Sequence, residues 1–351
     1  MGASLAVDRL GQFVVDASSS DLGSSLPMLK RNVLDSIACA LGALDGEMIP
    51  TIRAHAEQFS SRPTATFIGG GRASVDQAAF FNAVLVRYPD LLDTFLTPGG
   101  LCHPADNFGA VLAVAEHVGA TGADFLLALA VAYEVQCRFS AQVPVMARGL
   151  NHALQLAMSV AAGAAKLLEL DAEKTASAIA AASADNVSLA AIHAEPVSTW
   201  KGISPAITGM RAVYVTMLAG RGIGGPRALI DGPNGLVQLF EQSIDFRTDD
   251  PRLNAVQQTY LKQYCSLIHG QNIIDATHDR GGHLQTELDR GTDRWQVLRD
   301  KQKAVGRHVF RDGIQLSFRG RQNDIHVQGK PDRGPQRSWI KRILRIGHYG
   351  S

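Results

Sequence analysis

The chain has 351 residues, 46% of them hydrophobic, with 34 Lys and Arg against 33 Asp and Glu and a formal net charge of +1. That is enough apolar sequence for one large or two medium cores, and the balanced charge gives no electrostatic reason to expect nucleic acid or a membrane surface as partner. The stretch Met1 to Leu10 lacks the basic start and apolar core of a signal peptide, and no later run reaches membrane-spanning length without charge or Gly, so a cytoplasmic globular protein is expected. In chain order, Met28 to Leu44 reads as a helix and Thr64 to Ile68 as the one β-like run. The turn Gly69-Gly70-Gly71-Arg72 matches neither a Walker pattern nor the dinucleotide fingerprint, so it is read as connecting that strand to the next helix. Helices follow at Val75 to Tyr88, Asp106 to Val118, Ala123 to Val143, His152 to Leu168, Ala172 to Ala182 and Ser204 to Ala219. The expected fold class is mainly α.

Near Ala276 the composition changes. From Thr277 to Ser351 there are 16 Lys and Arg against 8 Asp and Glu, whereas upstream there are 18 against 25. This tail holds one Ala, Ala304, and little apolar periodicity, so residues 1–276 are read as a helical domain and 277–351 as a basic, poorly folded tail. An altered reading frame near Thr277 would account for the change, and translating the other two frames tests it.

Chemistry is concentrated between Asp90 and Asn107. There Asp90-Leu-Leu-Asp93-Thr-Phe precedes Cys102-His103-Pro104-Ala-Asp106-Asn107, in a stretch punctuated by Pro89, Pro98, Gly99, Gly100 and Pro104. It reads as a shaped loop between helices, the kind of segment that presents reactive side chains on a scaffold. Three further places bring polar groups to helical packing: Asn151-His152, Ser198-Thr-Trp-Lys201-Gly202, and Leu261-Lys262-Gln-Tyr-Cys265 leading to His269-Gly-Gln271. Singly, each has a bland reading as a surface lysine, a packed histidine or a solvated carboxylate. Together, cations to hold carboxylates and an imidazole to move a proton are what a polycarboxylate site requires. Cys39, Cys102, Cys137 and Cys265 show no metal-ligand spacing and read as reduced thiols, with all but Cys102 in apolar helical settings.

Leu85-Val-Arg87-Tyr88-Pro-Asp90-Leu-Leu-Asp93-Thr94, followed by His103-Pro-Ala-Asp106-Asn107-Phe-Gly109, resembles the signature of the MmgE/PrpD family. Leu34-Asp35-Ser36-Ile-Ala38, Phe67 to Arg72, Ser198 to Gly202, Gly224-Gly225-Pro226 and Tyr260 to Gln271 agree in order, so the likeness runs over about residues 5–276. The resemblance implies a large helical domain, usually completed by a smaller α+β domain, and a homodimer. The activities it implies are cluster-independent dehydration of 2-methylcitrate, decarboxylation of cis-aconitate or epimerisation of a dicarboxylate. It also implies a small polycarboxylate as substrate, with no metal and no cofactor. By position, His103 or His152 would do acid/base work and Asp93 would orient an imidazole, while Lys201, Lys262 and His269 would bind substrate.

The family's later Ala-Asp-His-Ser run is absent from Thr277 to Ser351, so the α+β part is expected to be largely missing or replaced there. Two classes stay open: a lyase of this type, or a catalytically inactive helical dimerisation remnant.

Overall fold

The computed structural model describes residues 4–97, 100–194 and 196–266, with Gln271, Ile274 and two short strands in the tail. The helices are α1 Ala6–Asp16, α2 Leu26–Gly42, α3 Ile49–Phe59, α4 Val75–Arg87, α5 Phe108–Val118, α6 Gly122–Gln142, α7 Ala153–Leu167, α8 Ala172–Ala184, α9 Trp200–Gly220 and the short α10 Leu236–Phe240. The mainly α expectation holds, and the seven helices expected from periodicity all form.

Two of them lie at the centre. Every residue of α4 from Gln77 to Arg87 is buried, and so is every residue of α7 from Ala153 to Ala165. A helix apolar on all sides belongs inside. Around them, α4 packs against α2, α3, α5 and α9, while α7 packs against α5, α6, α8 and α9. Small residues permit the close approach: a Cβ on Gly163 of α7 would lie 3.0 Å from the Ala128 carbonyl oxygen of α6. At Gly109 in α5 a Cβ would run into the backbone of Asn82 and Ala83 in α4. Gly109→Ala is therefore expected to cost about 1–3 kcal/mol of stability, read as a lowered denaturant midpoint; an unchanged midpoint would show that the two helices do not touch there.

Helix ends follow local chemistry. Thr121 and Asp124 form a reciprocal capping box at the start of α6, and Asp171 accepts from the Lys174 amide at the start of α8. Gly119 ends α5 in the left-handed conformation at φ 71°.

The glycine turn connects two strands rather than a strand and a helix. Strand β1, Ala65–Thr66, pairs antiparallel with β2, Arg72–Ala73, and β2 then leads into α4. Gly70 at φ 116° closes the turn, and buried Asn82 of α4 holds it by accepting from the Ile68 amide and donating to the Thr66 carbonyl, both at 2.9 Å.

The Asp90 to Asn107 segment also departs from a plain loop. Strand β3, Thr94–Thr97, pairs with β4, Gly100–Cys102, on one side and with β5, Thr259–Tyr260, on the other, both antiparallel. Its sequence is too short and too broken by Pro and Gly to read as strand; pairing with a distant segment supplies the missing hydrogen bonds. Arg138 of α6 secures the return of that segment by donating to the carbonyls of Phe246, Arg247, Asp250 and Arg252. Glu134, one turn earlier, binds Arg138 and accepts from the Ala255 amide at 2.8 Å.

Cys39 and Cys137 are buried residues of helices, whereas Cys265 lies in a bend and is half-buried, so the helical setting expected for it does not form. The tail reading lies mostly outside the described residues. Within it, β6, Gln315–Phe318, and β7, Ile325–Gln328, pair antiparallel. Among the described residues no helix is long and apolar enough to cross a membrane.

Candidate active site

Four helix ends meet at the chemistry-bearing residues. Arg87 is the last residue of α4, His103 starts the 3-10 turn Pro104–Asn107 that feeds α5, His152 stands at the N-cap of α7, and Lys201 is in the first turn of α9. Three of these ends are N-termini, whose exposed amides and dipoles favour anions. Pro205 inside α9 cannot donate to the Lys201 carbonyl, which leaves that first turn less tied to the rest of the helix.

The His103 Nδ1 lies 2.7 Å from the main-chain carbonyl oxygen of Asp93. A carbonyl only accepts, so Nδ1 carries the proton and Nε2 keeps its lone pair as a base. Burial first, then the nearby Arg87 charge, hold His103 well below the usual imidazole range, against the opposing pull of Asp106. His103 is neutral at physiological pH.

Asp93 therefore orients the imidazole through its backbone, not its carboxylate. That carboxylate is fully buried, accepting from Asn32 Nδ2 at 2.9 Å, the Ala105 amide at 2.8 Å and the Tyr133 hydroxyl. Burial pushes its pKa up to about 7, although these three donors pull it down. By gripping Ala105, the carboxylate fixes the turn that follows His103.

The rings of His103 and His152 meet edge to face with centroids 5.7 Å apart. Arg87 donates to Asp106 Oδ2 at 2.8 Å in an ion pair buried on both sides. His152 Nε2 approaches the same oxygen at 3.6 Å, an electrostatic contact too long for a hydrogen bond, and is otherwise without a partner. Burial lowers the His152 pKa despite Asp106, and Arg87 and Lys201 lower it further. For Asp106, burial alone would raise the pKa, but Arg87 and His152 outweigh it and hold the carboxyl at about 2.

Lys201 has no ion-pair partner among the described residues, and its charge reaches both His152 and His193. Lys262, expected as a second free cation, is instead buried and donates to both the carbonyl and the carboxylate of Asp90 at 3.0 Å. Its place follows from the β3 to β5 pairing, which draws the later segment against Asp90. His269 lies outside the described residues. Cys102 is wholly buried on β4 with Phe95, Cys137 and Ala255, as a bystander to His103.

Several members of this constellation were not singled out from the sequence. Arg87 and Asp106 stood inside the quoted motifs without a role; a cation at the end of a largely apolar helix was the available signal. Asn32, Tyr133 and His193 gave none. Among the described residues no three His, Cys, Asp or Glu side chains are grouped to hold a metal ion.

Residues 8–249 match the MmgE/PrpD N-terminal domain. The chain belongs to the MmgE/PrpD family. The match contains Asp93, His103, His152 and Lys201 but ends before Lys262. Among MmgE/PrpD relatives, the 2-methylcitrate dehydratase of Escherichia coli K12 is 26% identical over 260 residues, covering 70% of this chain and 54% of that protein. That of Cupriavidus necator is 25% identical over 278 residues, 75% of this chain and 57% of the relative. A probable 2-methylcitrate dehydratase of Saccharomyces cerevisiae is 29% identical over 201 residues, 53% and 39% of the two chains. The chain spans about half the length of the curated relatives it matches.

Proposed function

We propose that this protein is a lyase that dehydrates 2-methylcitrate or a related polycarboxylate without an iron–sulfur cluster. The observation that carries this is the neutral His103, fixed in its Nδ1-protonated tautomer and set against His152. Two adjacent imidazoles can divide the work of an elimination. One Nε2 takes the proton from the carbon next to a carboxylate; the C–O bond at the adjacent carbon breaks as a double bond forms, and the leaving hydroxide gains a proton from the second imidazole, which enters the step as the imidazolium that a bound carboxylate favours, to depart as water. Lys201 and the helix N-termini around it stabilise charge gathering on the substrate carboxylate as the proton leaves. Asp93 is a positioning residue in this scheme. Lys262 supports the site by holding Asp90, and a substrate carboxylate would compete with Asp90 for it.

The relatives' names support the substrate class, and the order of the signature segments supports the site. A homodimer in the cytoplasm, with a helical domain over residues 1–276 followed by a distinct tail, belongs to the same proposal. Decarboxylation of cis-aconitate and epimerisation of a dicarboxylate would use the same proton abstraction. The competing reading, a catalytically inactive helical remnant, is motivated by the charge reversal after Thr277.

One assay separates them: absorbance of the unsaturated product, with 2-methylcitrate, citrate and cis-aconitate compared on the full chain. Turnover of one of them supports the lyase; none with any sinks it. Given turnover, Lys201→Ala is expected to raise KM about 10–100-fold, the worth of one charge-assisted hydrogen bond. An unchanged KM would remove Lys201 from the site.

A further inference from the structure

We propose that His193 is a further substrate-contacting residue, which takes the outermost carboxylate of a polycarboxylate and accepts a proton in doing so. The inference rests on the polycarboxylate reading of the site above and extends it to a residue that neither the family motifs nor the sequence reading singled out.

The geometry is a row of three imidazoles. His103 meets His152 edge to face at 5.7 Å, and His152 stacks on His193 at 5.9 Å with an interplanar angle of 28°. His193 ends the 3-10 turn Ala190–His193, which packs on α9 close to Lys201. Along the row burial falls: His103 and His152 are buried, whereas His193 is half-buried. The row therefore leads from the interior toward solvent, and its middle member has a buried Nε2 with no hydrogen-bond partner, Asp106 Oδ2 standing 3.6 Å away. A buried ring nitrogen left unpaired marks a place where a ligand atom belongs.

Charge gives the second argument. Arg87 is neutralised by Asp106 and Lys262 by Asp90, which leaves Lys201 as the free cation of this region among the described residues. One cation does not balance three carboxylates. Protonation of an imidazole adds to what the helix N-termini supply, and the least buried imidazole is the least costly to charge. The groups that bear on His193 are His152 at the start of α7, Lys201 on α9 and Arg87 at the end of α4, with Asp106 behind His152. With burial, the three basic groups hold its pKa down to about 4, so it is neutral in the free protein. An incoming carboxylate reverses the local sign and favours its protonated, two-donor form.

The test uses isothermal titration calorimetry of the full chain at pH 6.5, with 2-methylcitrate and citrate as probes. Buffers of different ionisation enthalpy reveal proton uptake. His193→Phe keeps a ring to stack on His152 but has no nitrogen; His193→Asn serves as a second variant with a donor but no titration. For the probe that binds the unaltered protein more tightly, His193→Phe is expected to weaken binding about 10–100-fold, as loss of a hydrogen bond to a charged group does. Proton uptake should fall by about one. His193→Asn should recover part of the affinity and none of the uptake. Unchanged affinity in both variants overturns the proposal, and so does lost affinity with undiminished uptake, which would mean a merely structural role. If neither acid binds the unaltered protein, the polycarboxylate reading itself fails and takes this proposal with it.

Discussion

Arg87→Ala is expected to lower the free energy of unfolding by about 3–5 kcal/mol, the cost of leaving one member of a buried ion pair uncompensated. Both side chains are almost completely shielded from water, and Arg87 Nη1 to Asp106 Oδ2 is 2.8 Å. The variant strands, among two imidazoles and an apolar core, a carboxyl whose pKa of about 2 in the unaltered protein is held down chiefly by Arg87. Sign matters for pH: Asp106 is lowered in the folded state, so the stability it contributes is present above its ordinary pKa near 4 and is lost as pH falls toward 2. In Arg87→Ala that contribution should vanish or reverse at neutral pH. Adding Asp106→Asn should recover part of the loss, because the stranded charge is gone. Urea denaturation of the full chain, followed by far-ultraviolet circular dichroism, measures the unaltered protein and both variants. A single-variant loss below about 1 kcal/mol, the value of an exposed pair, would show that the pair is not buried in solution.

The second large effect is catalytic. His103→Gln should reduce kcat by about 10²–10⁴, the usual contribution of a positioned acid or base, in whichever reaction the product assay reveals. Gln is close in size and polar at the same reach, so the denaturant midpoint should move little. The pH profile adds a test with a definite sign. Because burial and Arg87 lower the His103 pKa, the imidazole stays a free base below pH 6.5, and the acid limb of kcat/KM should fall below that value. Turnover within tenfold of the unaltered protein would exclude His103 as an essential base or acid. A limb at or above pH 6.5 would contradict the buried, neutral state.

Much of the helical scaffold was legible because its signals are local. Val75 to Tyr88 and His152 to Leu168 announce themselves by largely apolar, Ala-rich sequence, and the structure buries nearly all of both helices. Helix α1 was not legible. It has no side-chain cap at Leu5 and carries Gly11 in its middle, where a Cβ would press on Ala172 and Ala176 of α8. A glycine that looks like a helix breaker is there for the neighbour. Strands β3 and β5 were hidden for a related reason: residues 94–97 become a strand by pairing with 100–102 and 259–260, and 259–260 by pairing with 94–95.

The same division runs through the site. Residue types and their order along the chain were sufficient to gather Asp93, His103, His152, Lys201 and Lys262 as candidates, since an imidazole and a lysine declare their chemistry wherever they stand. Which charge is matched, and which left over, was settled only by packing in three dimensions. Arg87 meets Asp106, Lys262 meets Asp90, and Asp93 serves His103 through a carbonyl that every residue possesses. Coulomb energy and hydrogen bonding depend on distances through space, and distances between residues far apart in sequence exist only once helices α4, α5, α7 and α9 have brought their ends together.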